Sequence, residues 1–147
     1  MSYTCLLYHV VFATKDRRPW LSSEHLPRVQ EYVGGIVRNL NGKLLAAGGA
    51  TDHVHLAISL NSSVALADAV RTVKCNSTGW IHDTFPDLVS FAWQDGYAAF
   101  TVSKSALSQV QRYLAGQAAH HAERSFADEL RALLAKHGIE FDESRLM

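Results

Sequence analysis

The chain of 147 residues is 48% hydrophobic, and its 14 lysines and arginines are balanced by 14 aspartates and glutamates. That is the size of one domain with a sizeable core; no run of about 18 apolar residues spans a bilayer and "MSYTCLLYHVVFATKDRR" has no signal-peptide pattern, so a cytoplasmic location is expected. Residues 1–122 carry ten cations against eight anions and residues 123–147 four against six, so overall charge neither requires nor excludes a nucleic-acid partner, which is bound through local patches.

Residues 4–14, "TCLLYHVVFAT", are rich in β-branched and aromatic side chains and are ended by "KDRRP", which predicts a buried strand. A helix follows over 23–40, with Ser22 or Ser23 as cap, Pro27 in the first turn, and Leu26, Val29, Val33, Ile36, Val37 and Leu40 at helical spacing. "NGKLLAAGGATDHVHLAISL" predicts two strands, 43–48 and 53–60, with the turn between them at Gly48-Gly49. Cys5 and Cys75 form no Cys-x-x-Cys pair, which leaves no disulfide framework or cysteine zinc site and predicts two buried free thiols.

"SSVALADAVRTVKCNSTGWIHDTF" predicts a second helix with a serine cap and apolar Val64, Ala67, Val70, Val73 and Ile81. A turn at Asp95-Gly96 leads into a last strand over 97–102. A helix capped by Ser103 or Ser105 runs through "VQRYLAGQ", and a final one, "FADELRALLAKHG", stops at Gly138. The order strand-helix-strand-strand-helix-strand, then helices, predicts an α+β fold of ferredoxin-like or RRM-like type: one antiparallel sheet covered by helices. The whole of 1–147 is expected to be one domain, with 123–147 its C-terminal helix and tail.

His53 and His55 are the first candidates for chemistry. On a strand, residues i and i+2 share a face about 6.6 Å apart, so two imidazoles can converge on one ion at roughly 2.1 Å each. Val54 and Leu56 would then point into the core and the histidines out. The alternative is one hydrogen-bonded, partly buried histidine and one surface histidine. A histidine-triad hydrolase is excluded, because position 57 is Ala57.

Tyr113 and Gln117 are four residues apart, hence on one helix face about 6 Å apart along the axis. The Gln117 amide oxygen can ligate a cation with the Tyr113 hydroxyl beside it; the alternative is an exposed Tyr-Gln pair.

Taken in order, "LLYHVVFATKDRRP", "DHVHLAI", "WQDGYAAFTVS" and "VQRYLAGQ" resemble the single-tyrosine (Y1) transposases of the IS200/IS605 type, including the REP-associated tyrosine transposases, in the HUH endonuclease superfamily. The resemblance implies that His53, His55 and Gln117 hold a divalent ion, Mg²⁺ or Mn²⁺, and that Tyr113 is the nucleophile. It implies cleavage and rejoining of single-stranded DNA at element ends through a 5′-phosphotyrosine, recognition of DNA hairpins, and a homodimer whose active sites are shared between subunits.

Where the family often has Asn before the glutamine, this chain has Gly116, at up to about 1 kcal/mol of helix stability. Asp52 is either a carboxylate that orients one imidazole or a turn residue. Lys15, Arg17, Arg18, Arg71, Lys74, Lys104 and Arg112 are the candidate DNA-binding cations. His9 reads as a packed strand residue and His120 and His121 as solvated helix-end residues, none of them a ligand. "DELRALLAKHGIEFDESRLM" carries no readable chemistry.

Two other functions are open on these residues. One is a domesticated hairpin-binding protein of the same fold that does not cut; the other is a metal-dependent phosphoesterase using water, for which Tyr113 is dispensable.

Overall fold

A computed structural model describes residues 1–116 and 125–146. Its sheet has four strands, β1 (Leu7–Ala13), β2 (Lys43–Ala50), β3 (His53–Ser59) and β4 (Ala98–Val102), in the order β2-β3-β1-β4 with every neighbouring pair antiparallel. Helix α1 (His25–Asn39) links β1 to β2, and α2 (Leu66–Thr84) precedes β4. This is the ferredoxin-like arrangement predicted. Helices α3 (Leu107–Ala115) and α4 (Phe126–Lys136) follow.

Strand alternation divides the interior in two. Val10, Phe12, Val54, Leu56 and Ile58 meet α1 and α2 through Val29, Val33, Val37, Val70, Val73 and Ile81 in the larger core. On the opposite face Val11, Ala13 and Phe100 meet Phe126, Leu130 and Leu134 of α4. β3 is therefore covered on both sides, and residues 53–58 are all buried.

Several boundaries differ from the sequence reading for physical reasons. Gly48-Gly49 is no turn: both lie in β2, which runs on to Ala50, and the turn is Thr51-Asp52. Gly49 has φ +136°, and a Cβ there would come within 2.3 Å of the His53 carbonyl oxygen, so the glycine permits a close approach of two strands.

Ser22 does accept the His25 N–H, while α2 starts at Leu66 with no side-chain cap; Asn61 Oδ1 instead accepts from Ser63 in a local turn. Both cysteines are exposed rather than buried: Cys5 precedes β1 and Cys75 lies on the outer side of α2. α3 begins after a 3-10 turn over 104–106, later than predicted.

α4 stops at Gly138 as predicted and has a cap that the sequence reading did not name. Ser125 caps it by accepting from the Asp128 N–H, and Gly138, at φ +69°, ends it while Ile139 N–H donates to the Leu134 carbonyl. Among the described residues no helix is long and apolar enough to cross a membrane.

Candidate metal centre

β1 and β3 pair so that His53 lies opposite Ala13, His55 opposite Val11, and His9 opposite Ala57. All three histidines thus share the face that α4 covers, with His9 diagonal to His55. The pair does not face outward as predicted. Both rings are 0% exposed, because the C-terminal helix packs over them.

The Nδ1 side of each imidazole meets a neighbour. His53 Nδ1 lies 2.7 Å from Asp52 Oδ1, so its N–H donates to the carboxylate. His55 Nδ1 lies 2.8 Å from His9 Nε2. Burial, then the neighbouring His55 ring, pushes His9 down to about 3, with Glu129 opposing the shift. His9 is therefore neutral near pH 7 and its Nε2 can accept from His55 Nδ1–H. Held this way, the two ligand candidates present Nε2 toward a common point, an arrangement typical of metal-binding histidines with fixed tautomers.

At that point stands a residue the sequence reading passed over. The Glu129 carboxylate, from α4, is in contact with His55 Nε2 and is 1% exposed. One donor atom each from His53, His55 and Glu129 lies within 4.8 Å of the others. Two imidazole nitrogens and a carboxylate oxygen, buried and this close, fit a divalent cation at about 2.0–2.2 Å from each donor after small adjustments. A signal was present in the sequence: Glu129 interrupts the apolar stripe Phe126, Leu130, Leu133, Leu134, where an acid has no reason to stand unless it is matched inside.

Tyr113 reaches the same place from α3. Its ring centroid is 6.0 Å from that of His55 and 6.3 Å from that of His9 within the one chain. A cavity of about 460 Å³ runs up to it, lined by Phe100, Val110, Tyr113, Glu129, Lys136 and His137. The structure therefore brings together His53, His55, Asp52 and Tyr113 of the predicted set. Gln117, with His120 and His121, lies outside the described residues. Gly116 is the C-cap of α3, its N–H donating to the carbonyls of Arg112 and Tyr113.

The seven cations do not form one surface. Lys15 and Arg17 form a 3-10 turn next to Arg18, in a loop whose Thr14 N–H donates to the Asp52 carbonyl, so they flank the start of β3. Lys104 and Arg112 are exposed beside and on the tyrosine helix. Arg71 and Lys74 stand on α2, across the sheet. Arg71 pairs with Asp68, and the half-buried Lys74 ammonium donates to the carbonyls of Gln94 and Gly96 at 2.7 Å each, with burial holding it below the ordinary lysine range.

A family described as "Transposase IS200 like" matches residues 2–117. The ISDra2 transposase TnpA of Deinococcus radiodurans is 26% identical over 117 residues, covering 76% of this chain and 84% of that protein. The transposase for insertion sequence element IS200 of Salmonella typhimurium is 29% identical over 120 residues, 75% of each. A solved structure of a REP-associated tyrosine transposase bound to a REP hairpin aligns at a TM-score of 0.62 over 82% of this chain and 72% of that one; at 14% identity it is a likeness of fold.

Proposed function

The chain belongs to the IS200-like transposase family, and we propose that it cleaves and rejoins single-stranded DNA by attack of Tyr113 on a phosphodiester beside an ion held by His53, His55 and Gln117. The observation that carries this reading is the Tyr113 ring 6.0 Å from His55, in a cavity open to a substrate. A divalent ion, Mg²⁺ or Mn²⁺, supplies Lewis-acid stabilisation of the phosphate there.

The chain's own residues do the rest. Asp52 and His9 hold the Nδ1 sides of His53 and His55, so the rings keep Nε2 for the ion without rotating. The Tyr113 oxygen bonds to phosphorus and the 3′-oxygen leaves, giving a 5′-phosphotyrosine and a free 3′-hydroxyl. Because the ester keeps the bond energy, a second 3′-hydroxyl reverses the step without a nucleotide cofactor. Lys15, Arg17 and Arg18 beside β3, with Lys104 and Arg112 near the tyrosine, hold the backbone of a hairpin and its flanking single strand in this reading. Arg71 and Lys74 would act on the far layer, away from Tyr113.

A homodimer that shares its active sites is part of the proposal. Since Tyr113 already stands by His55 of its own chain, a trans arrangement requires α3 to leave that position.

The test is cleavage of a single-stranded hairpin oligonucleotide with Mg²⁺ or Mn²⁺. Wild type is expected to cut and to form a covalent adduct, and Tyr113→Phe, His53→Ala and His55→Ala to do neither. Cutting by Tyr113→Phe without an adduct would favour water as nucleophile, and binding without cutting by wild type would favour a hairpin-binding protein.

A further inference from the structure

We infer that Glu129 is itself a ligand of this ion, so that the C-terminal helix α4 is part of the metal site. The inference rests on the reading of His53 and His55 as ligands and adds to it a residue from beyond the 2–117 stretch that the family match covers.

Three independent placements support it. Glu129 is 1% exposed in the helix face formed by Phe126, Leu130 and Leu134, all buried against the sheet. Its carboxylate and one donor nitrogen each of His53 and His55 lie within 4.8 Å of one another, close enough for a single ion to meet all three. Next, its oxygen is brought to Nε2 of His55, the ring whose Nδ1 meets His9. Finally, Phe126 of the same helix lies against His53 with ring centroids 4.4 Å apart, so α4 is seated on both histidines.

The chemistry changes in a definite direction. Two imidazoles and an amide leave the ion its full charge, whereas a carboxylate ligand cancels one unit. It binds the ion more tightly and shifts preference toward the harder Mg²⁺ and Mn²⁺. It also ties α4 to the sheet through the metal, which links occupancy of the site to docking of the helix.

The test is Mn²⁺ titration of the full chain, followed by electron paramagnetic resonance, together with hydrogen exchange of residues 126–136 with and without Mn²⁺. Glu129→Gln, which keeps the shape of the side chain, and Glu129→Ala are each expected to raise the Mn²⁺ Kd by more than about tenfold, the lower edge of what even outer-sphere partners contribute. Mn²⁺ should slow exchange in α4 of wild type and not of Glu129→Gln. A merely structural role predicts lower thermal stability with unchanged Kd, and that result overturns the inference. If His55→Ala loses Mn²⁺ while both Glu129 variants bind as wild type, only the role of Glu129 fails. If His53→Ala and His55→Ala also bind as wild type, the metal reading fails with it.

Discussion

Asp52 precedes His53 in the chain and lies 2.7 Å from its ring nitrogen, so one carboxylate fixes which nitrogen His53 offers to an ion. Asp52→Ala should therefore weaken Mn²⁺ binding by about 10–100-fold, read by titration, although Asp52 touches no ion itself. Gly49 acts on the same strand end by allowing a close approach. With φ +136° and a would-be Cβ 2.3 Å from the His53 carbonyl oxygen, Gly49→Ala has both backbone strain and a clash with backbone that cannot turn away. It is expected to lower unfolding free energy by about 2 kcal/mol or more in urea denaturation. These residues show where sequence reading holds and where it stops. Adjacency left Asp52 open between orienting His53 and serving the turn, and it does both, whereas Gly48-Gly49 looked like a turn because the pattern of a glycine pair does not distinguish a chain reversal from a crowded strand.

β3 fixes the histidine pair, since burial on both faces makes its register and the orientation of His53 and His55 hard to alter. Its hydrophobic alternation, the β-α-β order and the stop of α4 at Gly138 were all visible in the sequence, because each is a local pattern of spacing or of Gly at a helix end. The placement of α4 over the histidines was not visible, being a long-range contact between residues some 75 positions apart. For that reason the histidines were expected to face outward and Glu129 was missed. Leu130, 1% exposed between α4 and the sheet, measures how firmly this helix is seated. Leu130→Ala should cost about 2–5 kcal/mol in denaturant unfolding. On α2, Lys74 serves the loop at Gln94 and Gly96, so Lys74→Met should cost about 1–3 kcal/mol while changing hairpin affinity less than Arg18→Ala does.

Across the whole molecule the sheet separates two tasks. α1 and α2 build the larger core on one face, and α3 and α4 bring tyrosine and carboxylate to the histidines on the other. A site that joins β3 to the C-terminal helix should couple ion binding to global stability: Mn²⁺ at about 100 times its Kd should add about 2.7 kcal/mol, seen as a rise in thermal midpoint that EDTA reverses. The most direct test of the central claim, a metal-assisted attack by Tyr113, follows the polarity of the covalent product. A single-stranded hairpin oligonucleotide labelled at its 3′ end is incubated with protein and Mg²⁺ or Mn²⁺, then denatured and resolved by mass. Label is expected on the wild-type protein, mapped by mass spectrometry to the peptide containing Tyr113 and absent with EDTA or in Tyr113→Phe. Label released only on free DNA, or an adduct that forms equally in Tyr113→Phe, would contradict that attack.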